Sequence, residues 1–176
     1  MKSIYVVLSQ TGTMFSRVLK LFTRAEYNHS SIAFDPTLTE MFSFGRLNPY
    51  NPIVGGFVKE GKDIGTFKRF YKTKAKVLEL TITDEQYDGL KNYLEDVGQH
   101  KKEYGYNYLG VLCGIVKKDH APEKRFYCSQ FVRTCLAKFN IQNANDLPKV
   151  VKPIDFLKLS DYKVVYVGLL RDFKGV

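Results

Sequence analysis

Covalent chemistry in this chain would fall first to a thiol, Cys128, and an imidazole that could take its proton. Cys128 follows the charged, proline-bearing stretch His120-Ala-Pro-Glu-Lys-Arg125. It opens a run in which Phe131, Val132, Cys135, Leu136 and Phe139 recur at three- and four-residue steps. That spacing predicts a helix with one buried face from Cys128 to about Phe139, stopped by Asn140. The first turn of a helix presents unpaired N–H groups and a partial positive charge, which stabilise a thiolate and make it a nucleophile near neutral pH. Cys135, two turns further on, reads as core.

A thiol nucleophile needs a base, most often histidine. His29, His100 and His120 are the choices. His100 stands in the polar helix end Gln99-His-Lys-Lys102, and His120 in the charged loop; both read as surface. His29 differs because it opens a predicted strand, Tyr27 to Asp35.

The elements that must position these groups follow from local pattern. After the first strand, Pro36-Thr-Leu-Thr39 makes a turn and Glu40 to Arg46 returns as a second strand. Side chains alternate faces along a strand. If Ile32, Phe34, Phe42 and Phe44 face the core, His29, Ser31 and Ala33 lie on the other face with Met41, Ser43 and Gly45. Ser43 is then the polar residue of the returning strand able to share a face with His29. Glu40 would orient an imidazole better, but parity puts it with the core set, several residues away.

Elsewhere, Ser3 to Leu8 reads as a strand and Met14 to Thr23 as a helix with Phe15, Val18, Leu19 and Phe22 inward. The 47–62 segment, dense in Pro, Asn and Gly, reads as an irregular loop walling a binding site, with Phe57-Val58 as a short extended piece. Gly65 to Phe67 reads as another extended piece, and Lys76 to Ile82 as a strand. Thr83-Asp-Glu-Gln86 has the capping-box pattern and opens a helix to about Gly98. A further helix is expected over Tyr108 to Val116, a helical turn or two over Ile154 to Leu159, and a last strand over Tyr162 to Leu170.

Composition narrows the classes. Residues 1–176 fit a single domain with an ordinary core. No apolar run reaches membrane-span length, no signal-peptide pattern opens the chain, and three cysteines fit a reducing cytoplasm better than a disulfide framework. The net charge of +9 leaves weak contact with an anionic surface or lipid open. The basic residues are dispersed and accompany no nucleic-acid-binding signature, so no specific nucleic-acid partner is expected. Neither zinc-ligand spacing nor a phosphate- or dinucleotide-binding glycine pattern is present, so no metal or cofactor is expected.

Three segments carry a resemblance: Tyr27-Asn-His-Ser-Ser-Ile-Ala33, Tyr106-Asn-Tyr-Leu-Gly110 and Tyr127-Cys-Ser-Gln-Phe-Val132. Together they resemble the NlpC-type papain-like cysteine hydrolases. More narrowly, they resemble the circularly permuted branch that includes the YiiX-like amidases and is related to lecithin retinol acyltransferase. In the unpermuted family an aspartate-Cys-Ser-Gly-hydrophobic helix precedes the His strand; here the order is reversed. The resemblance spans roughly Tyr27 to Phe139. It implies an α+β, permuted papain-like fold with a Cys-headed helix on an antiparallel sheet. It also implies Cys128 as nucleophile, His29 as base, Ser43 at the orienting third position, and Tyr106 (Tyr108 next) as an oxyanion donor beside the backbone N–H of Cys128. A serine there departs from the family's usual His, Glu or other polar residue, and stabilises imidazolium less than a carboxylate does. The expected substrate is a small peptide or amide, with cell-wall fragments as one source. Two alternatives are acyl transfer or thioester hydrolysis on a lipid at a membrane surface, and a non-catalytic binding module of the same fold.

Overall fold

The computed structural model describes residues 1–12, 26–115, 120 and 122–176; the helix expected from Met14 to Thr23 lies outside them. The fold is mixed α+β, built on one antiparallel sheet. Its strands are β1 (Lys2–Gln10), β2 (His29–Ala33), β3 (Met41–Asn48), β4 (Asn51–Glu60), β5 (Lys74–Ile82) and β6 (Lys163–Leu169), in the spatial order β4-β3-β2-β1-β5-β6. β1 is central and apolar on both faces because both are covered. Ile4, Val6 and Leu8 point to one core, Tyr5 and Val7 to the other.

The first core lies between the sheet and two helices, α2 (Asp84–Gln99) and α4 (Cys128–Lys138). The expected box caps α2: the Thr83 hydroxyl accepts the Gln86 N–H, and the Gln86 side chain accepts the Thr83 N–H. Phe44 packs its ring against Phe131 and Phe126 at centroid distances of 4.8 and 5.3 Å, locking the α4 end of the sheet. The second core gathers Ala33, Met41, Val77 and Leu170 under Phe67 of a short helix, α1 (Gly65–Arg69). Parity along β2 and β3 is as expected: Ile32, Phe42 and Phe44 join the first core, Ala33 and Met41 the second.

Three elements differ from expectation. The 47–62 segment is mostly regular, since β4 pairs with β3 over nearly its whole length. Gly55 and Gly56 interrupt the sequence pattern of β4 without breaking its ladder. Gly65 to Phe67 is not extended; Gly65 adopts φ 55° and starts α1. Finally, Gly105–Tyr106 and Arg125–Phe126 form a two-residue parallel pair that flanks helix α3 (Tyr108–Ile115) and delivers the chain to α4. Among the described residues no helix is long and apolar enough to cross a membrane.

β2 and β3 pair at only two positions, Ile32 with Phe42 and Ala33 with Met41. Residues 29–31 of β2 pair with β1 on their other side, opposite Ser9 to Val7. A gap therefore opens between β2 and β3 at the end of the sheet that His29 begins.

Candidate active site

Cys128 is fixed by the residues around it. Gln130 accepts the Tyr127 N–H at 3.4 Å and receives Asn107 Nδ2 at 3.1 Å. Asn107 in turn accepts the Gly110 N–H at 2.8 Å and donates to the His120 carbonyl at 2.6 Å. The Ser129 hydroxyl donates to the Val151 carbonyl at 2.8 Å. The head of α4 is thus tied to α3 and to the segment after α4. The sulfur, 7 % exposed as part of its residue, reaches into the β2 gap and lies 3.9 Å from the Asn28 carbonyl. The backbone N–H groups of Ser30 and Ser129 point at it.

His29 meets the thiol there. The two side chains act on each other's ionisation, and the sulfur lies 3.9 Å from the carbonyl of Asn28, the residue before His29. The ring's Nε2 faces the Glu60 carboxylate, 2.9 Å from Oε2 and 3.1 Å from Oε1. With Nε2 so committed, Nδ1 is the nitrogen left for the sulfur. The Ser31 hydroxyl donates to Glu60 Oε2 at 2.8 Å and fixes the carboxylate. His29 and Glu60 side chains are 13 % and 11 % exposed, so their charges are poorly screened by water.

The electrostatics follow from this contact. Burial alone would lower the His29 pKa, but the Glu60 charge and hydrogen bonds to Cys128 and Glu60 carry it well above 6.5. Burial alone would raise the Cys128 pKa. The hydrogen bond and charge of His29 outweigh it, helped by the Ser30 and Ser129 N–H groups, and the thiol is lowered. Both shifts favour a thiolate–imidazolium pair. Cys135 is the contrast: fully buried with no such partner, its thiol is pushed far up.

The orienting partner of His29 is Glu60, which corrects the expectation for Ser43. The Ser43 hydroxyl instead donates to the Ser30 carbonyl at 2.7 Å, satisfying a buried acceptor where β2 and β3 separate. Glu40 does not reach His29 either; it is exposed and paired with Lys59 at 3.2 Å. Glu60 carried a sequence signal that a loop reading of 47–62 hides. Read as a strand alternating from Phe57 in the core, it puts Val58 and Glu60 on the His29 face. The register agrees, since Met41 pairs with both Ala33 and Glu60.

Tyr106 lies near enough for its hydroxyl to feel the Cys128 charge. Burial first, and that charge second, hold it well above the usual phenol range, so it stays a proton donor. Its ring packs on Tyr108 at 4.7 Å, and both press on Gly55, where a β-carbon would come 2.9 Å from the Tyr106 ring. His100 is exposed at the end of α2, its Nδ1 donating to the Asp96 carbonyl, and His120 is exposed in its loop. Among the described residues no three His, Cys, Asp or Glu side chains gather as a metal site. The chain matches no protein family, no curated protein and no solved structure.

Proposed function

We propose that this chain is a cysteine hydrolase of permuted papain-like type that cleaves an amide or peptide bond in a small substrate. The observation that carries this is the Cys128 sulfur set 3.9 Å from the carbonyl of Asn28, next to His29, whose ring is bound by the Glu60 carboxylate at 2.9 Å and whose charge lowers the thiol. The Cys128 proton passes to His29, and the thiolate attacks the amide carbonyl carbon. The carbonyl oxygen becomes an oxyanion facing the Cys128 N–H and the Tyr106 hydroxyl. Collapse breaks the C–N bond, and the leaving amine takes the proton from imidazolium. Water then attacks the thioester with His29 as base, releasing a carboxylic acid and restoring the thiol. A thiol nucleophile must stay reduced, which fits a cytoplasmic setting.

A first test is alkylation by iodoacetamide near pH 6, followed by mass at each cysteine. Fast, selective labelling of Cys128 that disappears in His29→Ala supports the reading; labelling of Cys128 no faster than of Cys135 favours a binding module instead. Incubation with a peptide and N-acyl amide panel should then leave an acyl mass on Cys128.

One observation favours a lipid acyl compound as substrate. Large apolar side chains stand exposed on the hairpin of β3 and β4 and beside it: Leu47, Tyr50, Val54, Ile64 and, across Gly55, Tyr108 and Leu109. Leu47 and Ile64 border the same shallow cleft as Glu60. Long-chain N-acyl amides cleaved faster than short peptides would select this reading over the first.

A further inference from the structure

One end of the sheet gathers exposed apolar and basic side chains. The antiparallel register puts the β3–β4 turn at the end where β2 starts at His29, β5 starts at Lys74 and β6 stops at Leu169. Asn48 pairs with Asn51, so Tyr50 stands at the tip of that turn, 78 % exposed. Leu47 and Ile64, each more than half exposed, line one cleft beside it. The chain that enters β5 from this end, Phe67 to Lys76, carries five basic residues and no acidic one. Lys68, Arg69, Lys72 and Lys74 are exposed, and among the described residues none of them has a carboxylate partner. The Arg69 guanidinium lies over the Tyr50 ring at 4.0 Å, which fastens the basic segment to the apolar tip. Tyr71 is exposed too, with Lys72 over its ring at 5.8 Å. The nearby carboxylates are already taken: Glu40 by Lys59, Asp63 by Lys62 and Glu60 by His29.

Apolar side chains set among cations suit a partner that is anionic at its surface and apolar just beneath. At a lipid bilayer, leucine and isoleucine enter the acyl boundary and tyrosine sits at headgroup level. Lysine and arginine reach the charged lipid groups on long apolar stems. A second copy of the chain fits worse, since a two-fold contact would set the same cations against each other. We propose that this end of the sheet docks on a membrane surface rich in anionic lipid. Leu47, Tyr50 and Ile64 enter the headgroup boundary, and Lys68, Arg69 and Lys72 meet the lipid charges. The proposal goes beyond the hydrolase reading and does not depend on a reactive Cys128. Where both hold, docking brings the end of the sheet that carries His29 to a source of acyl substrates.

The test is co-sedimentation of the whole protein with vesicles of phosphatidylcholine alone and of phosphatidylcholine mixed with phosphatidylglycerol. Wild type should bind the mixed vesicles at about 0.1 M salt and bind them less toward about 1 M, as the Debye length falls from roughly 10 Å to roughly 3 Å. Lys68→Gln, Arg69→Gln and Lys72→Gln combined should lower the partition coefficient about 10²-fold, at about fivefold per cation. Leu47→Ser with Ile64→Ser should lower it about tenfold, because half-exposed side chains still have apolar area to bury. These positions are exposed, and an unchanged urea midpoint checks that each variant folds. Equal binding to phosphatidylcholine alone, or no binding to either vesicle, overturns the proposal. Mixed-vesicle binding that the serine pair leaves unchanged also overturns it, and assigns the basic segment to soluble polyanions. Self-association that the serine pair abolishes would give the face to a second copy and overturn it as well. Fast iodoacetamide labelling of Cys128 without vesicle binding would leave the hydrolase reading standing.

Discussion

Glu60→Gln removes one charge and almost nothing else. The amide can still accept the Nε2 proton, so the ring keeps its orientation and loses its counter-charge. Charge centres about 4 Å apart at an effective dielectric of about 20 attract by roughly 4 kcal/mol. The net worth of such a charge-assisted hydrogen bond is smaller, about 1.5–3 kcal/mol. At 1.36 kcal/mol per pKa unit, the His29 pKa should fall by about one to two units. Burial, which already opposes the imidazolium, would then leave it neutral over most of the working range. Cys128 loses the cation that lowers it, and its pKa rises accordingly. The assay is iodoacetamide labelling of Cys128 as a function of pH. Wild type should label rapidly at pH 6, and Glu60→Gln about 10- to 100-fold more slowly. As pH rises and the variant thiol ionises without the imidazolium, the two rates should draw together, which shows that access and fold survive. A Glu60→Gln rate at pH 6 within twofold of wild type would refute the argument that this carboxylate sets the pair's ionisation.

Three further outcomes follow from the same geometry. Tyr106→Phe should cut turnover of an amide substrate by about 10²-fold, the usual loss for one oxyanion donor, while leaving iodoacetamide labelling at the wild-type rate because alkylation develops no oxyanion. Ser43→Ala should cost about 1–3 kcal/mol in urea unfolding by stranding the Ser30 carbonyl, and should lower turnover less than Glu60→Gln does. For His29, a folded pKa raised above the unfolded value means its stabilisation is fully present below about pH 6.5 and is lost as pH rises through the raised value. The stability difference between wild type and His29→Ala, measured in urea, should therefore shrink toward alkaline pH.

Much of this arrangement was legible from residues. The thiol at a helix head, the histidine at a strand start and the faces of β2 and β3 all follow from periodicity, because a strand or helix alternation survives any tertiary context that leaves the element intact. Glu60 did not emerge, for a local reason. Asn48, Pro49, Pro52, Gly55 and Gly56 all carry turn signals, and together they outweigh the short Phe57–Glu60 alternation. What overrides them is tertiary: β3 supplies a full ladder for β4, and the Tyr106 ring occupies the space that a side chain at Gly55 would need. The parallel pair of Gly105–Tyr106 with Arg125–Phe126 was equally hidden, since two residues carry no period.

The site depends on a ladder left unfinished. Had β2 and β3 paired along all of residues 29–33, the Ser30 amide and the Asn28 carbonyl would have been spent on sheet hydrogen bonds. Instead the strands part after two pairs, and three groups fill the space. Ser43 satisfies the Ser30 carbonyl from the β3 side, the Cys128 sulfur takes the Ser30 N–H, and the Asn28 carbonyl faces the same sulfur. The Ser30 N–H so left open stabilises a thiolate, while the Asn28 carbonyl can only accept the S–H of the neutral thiol. The carboxylate comes from one strand further out, where the face shared by Ala33, Met41 and Glu60 lets β4 reach across β3 to His29. Ser43 and Glu60 divide the work that a single third residue would have done: one holds the gap open, and the other charges the imidazole within it.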